Sequence, residues 1–392
     1  MTERLYYTDA YVREFDATVL ELVAVDGRRA AILDRTAFYP TSGGQPFDTG
    51  TLGGARVVDV IDRDDRVVLH VIEGELAPGT AHGTIDWDRR FDHMQQHTGQ
   101  HVLSAAFDRV CQARTESFHL GTVSATIDLA REVSPSQVAA AELSANQVVW
   151  EDRPVQVRFV DAAEAGGLSL RKDPTRSGTL RIVEVEAFDL SACGGTHVAR
   201  TGAIGNISVG SLERFRGGTR VEFRCGIRTL QDYRALREST GAAARLLSTA
   251  PGDVPSAVER LQADNREMRG RLKDLQSRLA LHEAAALAGR AVPIAGASVV
   301  AEALEGWDAN ALKAMALSIA ERAGHAAVLV GGPPPLSLVV ARAADVRLDS
   351  AAIVKTLTAR FGGKGGGRPE VAQGGGLSAP AADVIAFART LL

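Results

Sequence analysis

Two pairs of residues in this chain could hold a single metal ion. His97 and His101 stand four apart in DHMQQHTGQHVLSAAF, residues 92–107. Apolar side chains at 94, 102, 103, 106 and 107 predict a helix, and positions i and i+4 of a helix lie on one face about 6 Å apart. Two imidazoles so placed can bind the same ion. Cys193 and His197 repeat the spacing in SACGGTH, but the two intervening glycines predict a loop whose tight turn aims both side chains at one point. Three nitrogens and one sulfur suit Zn2+ better than Mg2+ or Ca2+. Four protein donors also close a purely structural zinc site, so spacing alone leaves open whether the ion is catalytic, positions a substrate or is structural. No general base is legible; a zinc-held water is the one candidate for the catalytic group. The remaining histidines (70, 82, 93, 119, 282 and 325) lack such partners, and Cys111 and Cys225 read as small buried apolar residues.

The elements that must position these residues follow from composition shifts along the chain. Residues 1–88 are β-rich: ATVLELVAV, RAAILDR, ARVVDVIDR and RVVLHVI are short and separated by Gly, Asp and Pro, which predicts a β-barrel-like N-terminal domain. Inside it, Phe38–Pro46 carries Gly43 and Gly44, either as a barrel turn or as a backbone surface that RNA approaches closely. Residues 89–230 form the predicted α+β metal module. The histidine helix comes first, then a strand pair around SFHLGTVSATIDL. A helix follows over 135–149, with Ser134 as N-cap and Pro135 at its first position. Strands at 154–162 and 179–188, joined by a loop over 165–178, complete it ahead of the Cys193–His197 loop. Arg214, Arg216, Arg220, Arg224 and Arg228 have even offsets and would share one strand face, either meeting phosphates or forming a solvated row.

Residues 231–290 read as a helical, coiled-coil linker. Val258, Leu261, Asn265, Met268, Leu272, Leu275 and Leu279 are spaced alternately by three and four, an apolar seam with Asn265 at an a position. Such a stripe needs a partner, either the helix near 231–248 or, favoured slightly, a second copy of the chain. Residues 291–392 predict a small α/β domain, with strands at AAVLVGG and LSLVVARA and helices near 308–322 and 350–361. Its Gly-rich stretch 361–376 is expected to be a loop in which Lys364 and Arg368 face phosphate. It lacks the residue order of a nucleotide P-loop. The fold class is therefore α+β: a barrel-like module, a zinc-site domain, a helical linker and a small C-terminal α/β domain.

Composition sets the outer limits. The chain has 392 residues, 45% apolar and 23% charged, typical of a globular protein of two or three domains. A formal net charge of -4 means that any RNA binding must rest on local basic groups. Neither a long apolar run nor a signal-peptide layout is present, and three scattered cysteines suit a reducing, cytoplasmic setting without a membrane.

These residues also carry a resemblance. MQQHTGQHVLSA, SFHLG followed by IDL, and SACGGTHVARTGAIG followed by GGTRVEFRCG resemble the editing domain of alanyl-tRNA synthetase. They are still more similar to its free-standing relatives, the alanyl-tRNA editing proteins (AlaX) in their long form. FYPTSGGQPFDTG resembles the N-terminal glycine motif of the longer members, although Thr41-Ser42 stands where many have an acidic residue and a glycine. GGKGGGRPEVAQGGG resembles the C-terminal domain shared by the synthetase and the DHH phosphoesterases. The match covers nearly the whole chain and is weakest over 230–290. With no aminoacylation domain ahead of the β-rich module, a trans-acting editing protein is the expectation.

The resemblance implies a zinc-dependent, ATP-independent aminoacyl-tRNA hydrolase of translation fidelity. It would deacylate Ser-tRNA(Ala), with Gly-tRNA(Ala) as a second substrate. It implies His97, His101, Cys193 and His197 as zinc ligands and Thr115 as the reader of the serine hydroxyl, with Gln100 and Ser117 also in substrate binding. Gln96, Gln100 and Asp189 are polar neighbours suited to orienting ligands. Gly43, Gly44, Arg216, Arg220, Lys364 and Arg368 would meet RNA. The C-terminal domain would hold the tRNA elbow and, with 258–279, support a homodimer. Physical logic agrees: a pocket shaped for alanine rejects serine by only about 10²-fold, whereas a site that hydrogen-bonds the hydroxyl discriminates far more strongly. The competing expectation is a noncatalytic tRNA-binding protein with a structural zinc. A phosphoesterase is disfavoured, because no Asp-His-His set precedes the C-terminal domain.

Overall fold

The computed structural model describes residues 1–63, 65–171 and 178–392. It divides into two compact units, Met1–Ala242 and Ala243–Leu392. Of the expected loop over 165–178, residues 172–177 lie outside the described residues.

The first unit opens with a closed six-stranded barrel, in the order Glu14–Val25, Arg28–Leu33, Val68–Glu73, Ala55–Asp62, Gly50–Leu52 and Gly79–Ile85. Its first strand shows why: Phe15, Ala17 and Val19 point inward while the residues between them are exposed, the two-residue period of a half-buried strand. Phe15, Leu33, Phe38, Leu52, Val57, Val60, Val68, Ile72 and Ile85 fill the interior. His70 lies buried at the mouth of the glycine-motif segment. Its Nδ1 donates to the Ala31 carbonyl at 3.1 Å, and its Nε2 lies 2.7 Å from Thr36 Oγ1, which accepts from the Phe38 N–H.

Beyond the barrel the chain forms the helix Trp87–Cys111, then a four-stranded antiparallel sheet ordered Ile207–Phe215, Gly218–Cys225, Ala125–Leu129, Thr115–Leu120. A three-stranded sheet of Val155–Val160, Leu180–Val185 and Asp189–Ala192 stands apart from it. The expected helix is Pro135–Trp150. Ser134 caps it reciprocally: its Oγ accepts from Gln137 N–H, and Gln137 Oε1 accepts from Ser134 N–H. Met94, Val102, Leu103, Ala106 and Phe107 of the histidine helix pack against Ile127, Leu129, Val221, Phe223 and Cys225 of the sheet. Gly99 makes this approach possible, since a Cβ there would run into Cys225 Sγ.

The second unit is a six-stranded sheet with a core on each face. Val300, Ala327, Leu329, Val339 and Ala341 face the helices Val254–Ala288 and Ala309–Ala320. The alternate residues Val299, Ala301, Val328, Val330, Leu338 and Val340 face Ser350–Phe361 and Ala381–Arg389. The Gly-rich stretch is not a loop, as its composition suggests, but an edge hairpin of Lys364–Gly367 and Val371–Leu377. The helix Ser350–Phe361 lies so close to it that a Cβ on Gly365 would sit 2.7 Å from Val354 Cγ1, and one on Gly374 would sit 3.0 Å from Thr358 Cγ2. The glycines are there to admit that helix. On Val254–Ala288 the heptad seam stands open, with Leu261 54%, Leu272 57% and Leu275 61% exposed.

Burial holds His70 neutral, pushing its pKa down from 6.5 to about 4. The folded state therefore binds fewer protons than the unfolded chain between those values, and stability that is complete above pH 6.5 is lost as pH falls toward 4. Urea unfolding of the wild type should lose up to about 3 kcal/mol more than that of His70→Gln across this window. Parallel pH profiles for the two proteins would remove His70 from the account.

Candidate metal centre

The histidine helix is unusual for what it buries. Gln95, Gln96, His97, Thr98, Gln100, His101 and Ser104 are all removed from water, and buried polar groups are costly unless each is paired. Gln95 Nε2 donates to the Ala203 carbonyl at 2.9 Å. Gln96 bonds the backbone of Cys225 in both directions and so serves packing, not the metal ligands.

The other polar groups converge. The ligating atoms of His97, His101, Cys193 and His197 lie within 4.8 Å of one another. Cys193 Sγ is 3.4 Å from His97 Nε2 and 3.3 Å from His197 Nε2. In a tetrahedral zinc site, neighbouring N and S donors stand about 3.5 Å apart, so these separations fit the ion. Gly195 lets the loop close, because a Cβ there would strike the His97 ring.

The three imidazoles are presented the same way round. His97 Nδ1 lies 2.8 Å from Gln45 Oε1, which already accepts from the Thr196 N–H, so the imidazole is the donor. His101 Nδ1 donates to Asp189 Oδ2 at 2.9 Å. His197 Nδ1 lies 3.2 Å from Thr98 Oγ1, whose hydrogen is committed to the Met94 carbonyl, so again the ring donates. In the neutral ring this arrangement leaves Nε2 as the free nitrogen, the tautomer that ligation needs. Arg171 Nε and Ser191 Oγ in turn hold Asp189 at 2.6 and 2.9 Å.

The electrostatics match a cation site. Burial raises the Cys193 thiol, but the neighbouring His97 and His197 rings and its hydrogen bonds with His101 and His197 outweigh that and hold it well below its usual range. Burial and the neighbouring His97 bring His197 down to about 3. Burial would lower His101 too, yet Asp189 and Cys193 carry it up to about 9. A thiolate, imidazole nitrogens and a carboxylate behind one of them are the donor chemistry that zinc selects.

Other sequence candidates separate. Thr115 and Ser117 fall on opposite faces of their strand, because a bulge between them pairs Thr115 with Leu129 and Ser117 with Asp128. Thr115 faces the histidine helix, its Oγ1 donating to Ser104 Oγ at 2.8 Å, and Gln100 Nε2 donates to the same oxygen at 2.8 Å. Ser117 turns away, bonded to Asp128 beside Arg220. Gly43 faces open space, whereas Gly44 lies under the Phe118 ring and its carbonyl accepts from the Leu120 N–H. Lys364 and Arg368 are exposed on the second unit.

The five arginines do not form one strand row. The chain reverses at Arg216-Gly217, both with positive φ, so Arg214 and Arg220 lie on successive strands and Arg228 on the next helix. Arg228 is buried against Asp92 at 2.6 Å, a structural tie. Arg220 pairs with Asp128 at 2.7 Å and covers the Phe215 ring, Arg224 pairs with Glu222, and Arg214 with Glu132. Sequence reasoning missed Gln45, Thr98 and Arg171 as supports of the ligands; Gln45 stood inside the glycine motif, where the glycines drew the reading.

A barrel, a helix-and-sheet module holding a His3Cys cluster and a two-faced α/β unit define a modular protein with a candidate metal site. Residues 180–222, which include Cys193 and His197, match the threonyl and alanyl tRNA synthetase second additional domain, and residues 296–391 match the DHHA1 domain. The alanine–tRNA ligase of Pyrococcus abyssi is 33% identical over 95% of this chain, and that of Halobacterium salinarum 35% over 97%. The chain spans only 42% and 43% of those two ligases. The alanyl-tRNA editing protein AlaX-L of Pyrococcus horikoshii is 30% identical over 95% of this chain and 94% of its own length. This chain belongs to that family of alanyl-tRNA editing proteins.

Removing a support behind a ligand should weaken zinc without unfolding the module. Gln45→Leu and Asp189→Asn are expected to lower zinc affinity about 10- to 100-fold in competition with a chromophoric chelator. Ser117→Ala, on the far face of the sheet, should leave it unchanged.

Proposed function

We propose that this protein is a zinc-dependent editing hydrolase that acts in trans on tRNA(Ala) mischarged with serine, with glycyl-tRNA(Ala) as a second substrate. The observation that carries this reading is the buried His97, His101, Cys193 and His197 cluster with its three oriented imidazoles, in a chain that matches an AlaX-L protein over nearly its whole length. Zinc held by these four residues would supply Lewis acidity toward the ester.

The chain's own groups do the selecting. Thr115 Oγ1 has its hydrogen committed to Ser104, so toward a substrate it accepts, as a serine hydroxyl requires. Alanine offers no such donor, and alanyl-tRNA escapes. Gln100 stands beside Thr115 on the same hydrogen-bond chain. For the RNA, the Gly43-Gly44 backbone, Arg216 at the hairpin tip and Arg220 on the outer sheet face are proposed contacts, with Lys364 and Arg368 serving from the second unit. Among the described residues no helix is long and apolar enough to cross a membrane.

A second reading, a noncatalytic tRNA-binding protein with a structural zinc, is favoured by the four protein donors alone. Serine release from Ser-tRNA(Ala) decides between them. Zinc-loaded wild type should release it, and His101→Ala and Cys193→Ala should lose at least about 100-fold in rate. Normal tRNA binding with no serine released would leave the noncatalytic reading. Thr115→Val should raise cleavage of Ala-tRNA(Ala) relative to Ser-tRNA(Ala); an unchanged ratio removes Thr115 from substrate recognition. Arg216→Ala should lessen the slope of log affinity against log salt by about 1, the signature of one lost phosphate contact.

A further inference from the structure

One buried polar atom near the metal cluster has no partner in the protein. Gln100 Oε1 is shielded from solvent and accepts nothing, although its own amide nitrogen is bonded to Ser104 Oγ at 2.8 Å. A buried amide oxygen without a donor is unfavourable, so its retention points to a ligand that brings one. Ser104 explains how it comes to be free. That residue is fully buried on the histidine helix, one turn beyond Gln100, and its single oxygen accepts from both Gln100 Nε2 and Thr115 Oγ1.

The consequence is a fixed polarity. With its hydrogen given to Ser104, Thr115 can only accept from a ligand. One N–H of the Gln100 amide goes to Ser104, and the carbonyl oxygen, which can only accept, is left without a donor. Two acceptors on one short chain match a ligand with two donors. Among aminoacyl esters, the α-ammonium is a donor common to all, and the β-hydroxyl of serine is the second.

We infer that Ser104 is a positioning residue that sets the hydrogen-bond polarity of the pocket, so that Gln100 Oε1 takes the α-ammonium of the substrate while Thr115 takes the serine hydroxyl. This inference rests on the deacylase reading above. It adds a ranking: seryl esters satisfy both acceptors and glycyl esters only one, so Ser-tRNA(Ala) is the better substrate.

Steady-state hydrolysis of Ser-tRNA(Ala) and Gly-tRNA(Ala) tests it, with zinc content and thermal melting followed in each variant. Wild type should prefer the seryl substrate through KM by about tenfold, about one hydrogen bond. Ser104→Ala should raise KM for both substrates, about tenfold more for the seryl one, and so erase that preference, with kcat within about twofold and zinc retained. Ser104→Thr keeps the oxygen and should restore KM to within about threefold of wild type. Gln100→Leu should raise KM for both substrates alike and leave the preference in place, because both carry the ammonium.

A preference that survives in Ser104→Ala, or KM values unmoved by Gln100→Leu, would overturn the inference while the deacylase reading stands. Loss of zinc or of fold in Ser104→Ala, with no rescue by Ser104→Thr, would mark Ser104 as structural and overturn it as well. Wild-type protein that hydrolyses neither substrate would overturn the deacylase reading and this inference together.

Discussion

The centre depends on a buried ion pair that joins the barrel to the histidine helix. Arg90, on the first turn of the helix, bonds both oxygens of Asp48, and its remaining nitrogens donate to the carbonyls of Ala10 and Ala37. Asp48 also accepts from the Tyr39 N–H at 2.6 Å. The loop that carries Gln45 is therefore clamped at both ends by one guanidinium. Neither partner sees water, and breaking such a pair typically costs about 3–5 kcal/mol because it strands a charge. Without that clamp Gln45 would have no fixed place over His97, and the tautomer that exposes Nε2 would lose its cause.

The same logic runs through the rest of the centre: each ligand is held by a part of the chain remote from its own. His97 leans on the barrel through Gln45, and His101 on the three-stranded sheet through Asp189. His197, from the loop, leans back on the helix through Thr98. Charge is balanced in pairs, Asp189 by Arg171 and Asp48 by Arg90, so the charge of a metal held there would be met mainly by the Cys193 thiolate. Close approach makes this possible. Gly195 beside His97 and Gly99 beside Cys225 are positions where a single added carbon would push loop or sheet off the helix.

What the sequence made legible was local. The i, i+4 histidines, the CGGTH turn, the Ser134 cap and the barrel's alternating strands depend on short-range periodicity and turn chemistry, and each appears where those rules put it. The misses were non-local. Gln45 reaches His97 across 52 residues, a distance no spacing rule spans. Ser117 and Thr115 look like same-face neighbours at i and i+2, and only the bulge against Leu129 separates them. The arginine row failed for a related reason, since even offsets hold only while the strand continues, and Arg216-Gly217 ends it. The Gly-rich stretch misled because glycine permits loops but is also what a strand needs when a helix lies directly on it.

The histidine helix shows why a site of this kind is hard to see in hydrophobic pattern and easy to see in residue type. A surface helix announces itself by one apolar face and one polar face. This one is buried on nearly every side, so its polar residues are not on a wet face at all but in the protein interior. Nine buried polar side chains on one helix, Arg90 and His93 among them, are sustained mostly by partners drawn from the barrel, the sheets and the metal loop. The helix is therefore specified less by its own periodicity than by the groups that surround it. The unsatisfied oxygen of Gln100 is informative because Ser104 and Thr115 beside it have each found a partner.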